Sequence, residues 1–164
     1  MKTLRIAPML AAIAFLSGAL LVASPTKALA ADACYNSPSK STCDGDDPQT
    51  SGCAADAYTV QTKTVTDQSG GGLGTLGYVD LRYSPHCGTN WARLRPTSTS
   101  NPPAEYYAAV YRPSDGAIRT VDTYSTSIVT VWSPMLYARS VCAKGNGYIN
   151  LSGGAWGDIW TDCI

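Results

Sequence analysis

From residue 56 onward, apolar and polar residues alternate in short runs. Tyr58, Val60 and Thr62 alternate with Thr59, Gln61 and Lys63, the period of two that marks a half-buried strand. Val79, Leu81 and Tyr83 share one face of a second run, with Asp80 and Arg82 on the other. After Ser84-Pro85-His86-Cys87-Gly88, Trp91 and Arg93 alternate with Ala92 and Leu94. This stretch reads as strand, tight loop, strand. Residues 105–112 form a Tyr-rich strand, and Pro113-Ser114-Asp115-Gly116 is a turn. Residues 117–124 and 127–132 are rich in Ile, Val and Thr and read as two more strands. Residues 137–143 read as another, and Lys144-Gly145-Asn146-Gly147 as a hairpin turn. In the Gly-rich tail, Trp156, Asp158 and Trp160 would share one face of a strand. No stretch after residue 30 has a helical period. Seven or eight short strands at near-regular spacing predict an all-β sandwich or barrel.

Two regions break this pattern. Residues 1–30 carry Lys2 and Arg5, an apolar run over residues 9–22, and Ala28-Leu29-Ala30. They predict a secretory signal removed after Ala30. The apolar run is short for a membrane span, so no membrane insertion is expected after its removal. Residues 31–56 form a Cys-rich head dense in Pro, Gly, Asn and Asp, which predicts turns rather than helix. Head and β region (57–164) are expected to fold as one unit, since 134 residues make one ordinary domain.

Beyond residue 30 there are nine Lys and Arg against twelve Asp and Glu, a net charge of −3. That argues against nucleic acid as a partner. Cys34, Cys43, Cys53, Cys87, Cys142 and Cys163 all follow the signal. An even count in an exported chain predicts three disulfides, with 15 connectivities open. No CxxC or Cys/His spacing suggests a metal. The only Phe, Phe15, lies in the signal, so ten Tyr and four Trp supply all the aromatic area. Half-exposed strands explain this; a recognition surface would also use these residues.

Candidate chemistry is sparse. His86 is the only histidine, and a Ser–His–Asp relay would need an acid and an activated serine. Ser84 is close in sequence, but its setting is not a nucleophile elbow. Asp44, Asp46 and Asp47 offer hard oxygens for calcium, without the twelve-residue calcium loop or its closing Glu; Asp and Gly at this density also simply turn the chain. Arg82, Arg93, Arg95 and Arg112 could form an anion patch, or pair across strands with Asp80, Glu105 and Asp122. The pairing reading is preferred. Trp156, Asp158 and Trp160 suit sugar stacking, or else core packing. Arg82, His86, Trp91, Arg93, Trp156 and Trp160 are the candidate binding residues. No cofactor is expected.

Two blocks resemble a known family. They are Cys43-Asp44-Gly45-Asp46-Asp47-Pro48 with Gly52-Cys53-Ala54-Ala55-Asp56-Ala57, and Leu81-Arg82-Tyr83-Ser84-Pro85 with Cys87, Trp91, Ala92 and Arg93. Ser133-Pro134-Met135 is a weaker third match. Together they resemble the YjfA-like, DUF2690-type bacterial secreted domain of unknown function. Its members are small exported proteins, or extracytoplasmic domains joined to a membrane helix and a cytoplasmic DNA-binding domain. The resemblance implies a binding or sensing module rather than a catalyst. Cys142 and Cys163 lie beyond the strongest likeness, which suggests that they pair together. The other four then pair among themselves, and a Cys53–Cys87 bridge would tie the head to the central hairpin.

These readings converge on a secreted, non-enzymatic interaction module that binds a protein partner, as an adaptor in a secreted assembly. A cell-wall or carbohydrate-binding domain is the first alternative. A secreted hydrolase centred on His86 is the second.

Overall fold

The computed structural model describes residues 32–97 and 104–164; the signal expected over residues 1–30 and most of the Pro-rich connection at 97–103 lie outside the described residues. Two antiparallel sheets face each other. The first has the order β1 (Tyr58–Thr66), β2 (Thr75–Ser84), β3 (Thr89–Pro96), β6 (Val131–Trp132), with β7 (Leu136–Tyr137) pairing further along β3. The second has the order β5 (Ala117–Ser125), β4 (Ala104–Arg112), β8 (Lys144–Leu151), β9 (Trp156–Trp160). The architecture is a sandwich, not a closed barrel; among the described residues it has nine strands, of which β6 and β7 are only two residues each.

The alternation in the sequence sets which face each strand buries. Val79 and Leu81 of β2, and Ala92 and Leu94 of β3, point inward and are fully buried. Tyr106, Ala108 and Val110 of β4 and Ile149 of β8 meet them from the second sheet. Fully burying side chains of this size is worth roughly 1.5–3 kcal/mol each.

The head packs on the outer face of the first sheet. It contains two one-turn helices, α1 (Ala33–Asn36) and α2 (Lys40–Cys43), and a 3-10 turn over Cys53–Asp56. The expectation of turns without helix is corrected here. Ser39 caps α2 by a reciprocal box with Thr42, a local hydrogen-bond pattern too short to show a helical period. Disulfides join Cys34 to Cys43, Cys53 to Cys87, and Cys142 to Cys163. The four head-side cysteines surround Trp91 and Met135 in a second small core. The head thus covers the outer face of the first sheet around Trp91, while Thr62 and Thr64 farther along that face stay exposed.

Three local readings change. Of residues 127–132 only Val131 and Trp132 are strand, and of 137–143 only Tyr137 is. Lys144-Gly145-Asn146-Gly147 is not a turn but the start of β8. Its glycines face inward; a Cβ at Gly147 would stand 2.8 Å from both Leu94 and Val79. The glycines let the sheets approach, which leaves the same Gly-rich signature as a hairpin turn.

Candidate functional site

The motif residues of the head and hairpin are occupied in holding the chain together. Asp44 accepts hydrogen bonds from Arg112 (2.7 and 3.0 Å) and from the Tyr137 amide (2.7 Å). Asp47 accepts from the amides of Gln49 and Thr50 and from Trp132 Nε1. The backbones of Gly45 and Asp46 exchange two hydrogen bonds with Met135. Burial, then Asp32, pushes the Asp46 carboxyl above its usual range. Asp44 and Asp47 thus spend their carboxylates on different partners, and Asp46 is tied in through its backbone. Among the described residues the only grouping close enough for a metal is Cys34, Cys53 and Cys87, and those sulfurs are in disulfides.

Around His86 the groups are likewise committed. Asp56 accepts from Ser84 Oγ at 2.6 Å and from the His86 amide at 2.8 Å. The imidazole turns away and stacks on Tyr35 at 4.1 Å, with Nε2 2.9 Å from the Tyr35 carbonyl oxygen. Among the described residues, no Ser–His contact forms a relay of the hydrolase kind. Trp91, a candidate contact residue, is only 1% exposed and belongs to the core under the head. That corrects its assignment as a surface group. A groove of about 410 Å³ lies beside Tyr58, Tyr83, Asn90, Arg139 and Val141. Two of its polar side chains are committed to the backbone, since Asn90 donates to Arg82 O and Arg139 to His86 O.

The arginines divide. Arg93 and Arg95 both grip Asp80, at 2.7–2.9 Å, and Thr62 adds a fifth donor. Arg95 lies over the Tyr78 ring. Arg82 donates to Thr59 Oγ1 and Ala57 O. Arg112 is buried and pairs with Asp44 and Asp115. Cross-strand pairing holds for Asp80, while Glu105 and Asp122 form no ion pair among the described residues.

Burial would raise Asp80, but the hydrogen bonds from Arg95, Thr62 and Arg93 outweigh it and hold its carboxyl below the usual value. Arg112, then Lys40, hold Asp115 well below the carboxylate range. Lys63 and Gln61 lower Asp162. A carboxylate depressed by folding stabilises above its unfolded pKa of about 4, and that contribution is lost as pH falls through the folded value. The urea midpoint is therefore expected to drop below about pH 4, and less steeply in Asp80→Asn. A midpoint rising between pH 4 and 2 would contradict this.

The outer face of the second sheet is different. Pairing registers place its side chains in rows. One runs Tyr124, Glu105, Asn150, Trp156; the next runs Asp122, Tyr107, Tyr148, Asp158; a third contains Thr120, Ala109, Asn146, Trp160. Tyr111 meets Trp160 edge to face at 6.2 Å. Trp156, Trp160 and Tyr124 are 39%, 38% and 76% exposed. Burial, then Asp122 and Asp158, raises the Tyr107 phenol, and burial, then Glu105, Asp158 and Asp122, raises Tyr148. The structure brings Trp156 and Trp160 together with four tyrosines, and separates both from Arg82, His86 and Arg93 on the other sheet. The tyrosines and acids of β4 and β5 were not among the sequence candidates. The alternation of Glu105, Tyr107 and Tyr111 against Tyr106, Ala108 and Val110 was the available signal; which strands lie beside β4 was not.

A family model described as a protein of unknown function (DUF2690) matches residues 41–144. That span holds both motif blocks and β4 and β5, and ends where β8 begins. No curated protein and no solved structure matches.

Proposed function

We propose, for a chain that belongs to the DUF2690 family of proteins of unknown function, the role of a non-enzymatic interaction module acting outside the cell. Its contact surface is the outer face of the second sheet, and its partner is a protein. One observation carries the reading: six aromatic side chains and three carboxylates lie together on a sheet face whose Trp156, Trp160 and Tyr124 stay exposed. Tyr and Trp dominate contact energetics because they bury large area with a polar handle. Three disulfides are at home in an oxidising compartment. No helix of the described residues is long and apolar enough to cross a membrane.

The test is affinity capture from culture medium with native protein beside Trp156→Ala/Trp160→Ala. The native chain is expected to retain a protein that the variant loses by at least about tenfold, since hot-spot truncation costs about 2 kcal/mol or more. Recovery of the bait alone, or equal retention by both, would overturn the reading. Flanking of Asp158 by two exposed Trp supports a second reading, glycan binding. That reading expects retention on insoluble peptidoglycan to be lost in the same variant.

A further inference from the structure

The chemistry of this face, taken as the contact surface above, also defines its partner. We propose that it docks an extended polypeptide segment bearing Lys or Arg side chains. Glu105, Asp122 and Asp158 form no ion pair among the described residues, although Asp44, Asp80, Asp115 and Asp162 each do. Among the described residues, the one cation on the face is Lys144, which pairs with Tyr111 at its rim.

Two of these carboxylates are held in place by neighbours on the same face. Asn146 Nδ2 donates to Asp158 at 2.5 Å and to the Ile159 carbonyl oxygen at 3.0 Å. Glu105 accepts from Tyr124 OH at 3.1 Å and Asn150 Nδ2 at 3.3 Å. Neutral donors orient these groups without cancelling their charge. The face is thus acidic and aromatic together, the combination that attracts a cation through both its charge and the ring faces.

Spacing favours a peptide. Asp122 and Asp158 end one row three strand-spacings long, about 14 Å apart at roughly 4.8 Å per strand. Residues i and i+4 of an extended chain are about 13 Å apart. Two basic side chains so placed reach both acids while their apolar stems lie over Tyr107 and Tyr148. The four-stranded face is about 30 by 19 Å, on the order of 600 Å². That is below the roughly 800 Å² per partner of a standard globular interface and suits a segment.

The experiment titrates the protein with a labelled lysine decamer, a glutamate decamer and a glucosamine oligomer of matching charge, at low and high salt. The lysine decamer is expected to bind, to weaken as salt rises, and to lose about tenfold or more in Asp122→Asn/Asp158→Asn. The control Asp32→Asn/Asp46→Asn, which removes equal charge from the head, should keep native affinity. Equal losses in both double variants would mean unspecific attraction and would overturn the proposal. So would no binding at low salt, tighter binding of the glucosamine oligomer, or concentration-dependent self-association that excludes the peptide. If Trp156→Ala/Trp160→Ala abolishes partner retention while the Asp variants do not, the contact face stands and the cationic partner falls. If neither set matters, both fall.

Discussion

Replacing Arg112 by Ala is expected to lower the unfolding free energy by about 3–5 kcal/mol, the usual cost of stripping one partner from a buried ion pair. Arg112 ends β4 and is 2% exposed. Its guanidinium donates to both oxygens of Asp44, to both oxygens of Asp115, and to the Tyr137 carbonyl at 2.6 Å. The Asp44 and Asp115 hydrogen bonds raise its pKa further, so it stays a cation throughout. Asp44 comes from the head, Asp115 from the turn after β4, and Tyr137 from β7. One side chain thus fastens three segments, and its loss strands a carboxylate and a carbonyl in a poorly solvated place. Lys should not rescue it, because a compact ammonium cannot serve two carboxylates and a carbonyl in a planar fork. Asp44→Ala should destabilise in the same direction, with Asp115 left to hold part of the charge. Urea unfolding followed by Trp fluorescence measures both; a native midpoint in Arg112→Ala would contradict the fastening role.

Removing the Cys53–Cys87 bridge should cost the most among the three disulfides. The bridges span 9, 34 and 21 residues for Cys34–Cys43, Cys53–Cys87 and Cys142–Cys163. Chain-entropy reasoning makes the longest loop worth about 4 kcal/mol and the shortest about 3. Cys53 and Cys87 are also both fully buried against Trp91. The Cys53→Ser/Cys87→Ser protein is expected to lose about 4 kcal/mol, and its head should loosen first. Trp91 would then meet water, giving a red-shifted emission before the sheets melt. A larger loss from Cys34→Ser/Cys43→Ser would contradict the ranking.

Both predictions rest on contacts that the sequence showed unevenly. Alternation around Val79, Leu81, Ala92 and Leu94 was enough to read the central hairpin and its inward face. The strands read over 127–132 and 137–143 are too long, because Ile, Val and Tyr score as strand wherever they sit, while only Val131 and Trp132 of the first stretch and Tyr137 of the second find a partner on β3. The pairing of Cys142 with Cys163 and Cys53 with Cys87 came through the family resemblance, since spacing alone leaves every connectivity open. Arg93 and Arg95 with Asp80 were legible as cross-strand neighbours. Arg112 with Asp44 was not, being 68 residues apart and joined only by the docking of the head. The second-sheet face stayed hidden for a similar reason. Its acids and rings come from four strands, and β4 sits between β5 and β8 only after the 104–151 register closes.

The family blocks, on this account, hold the head to the first sheet, and the uncovered second-sheet face is left free to bind. The most direct check is urea unfolding of Arg112→Ala beside Asp122→Asn/Asp158→Asn under one set of conditions. Arg112→Ala is expected to lose several kcal/mol, and the face variant to change by no more than about 0.5 kcal/mol, because Asp122 forms no ion pair among the described residues and Asn at position 158 keeps an amide oxygen to accept from Asn146. A face variant that unfolds as readily as Arg112→Ala would show that those acids are structural, and would contradict the division between fastening and binding.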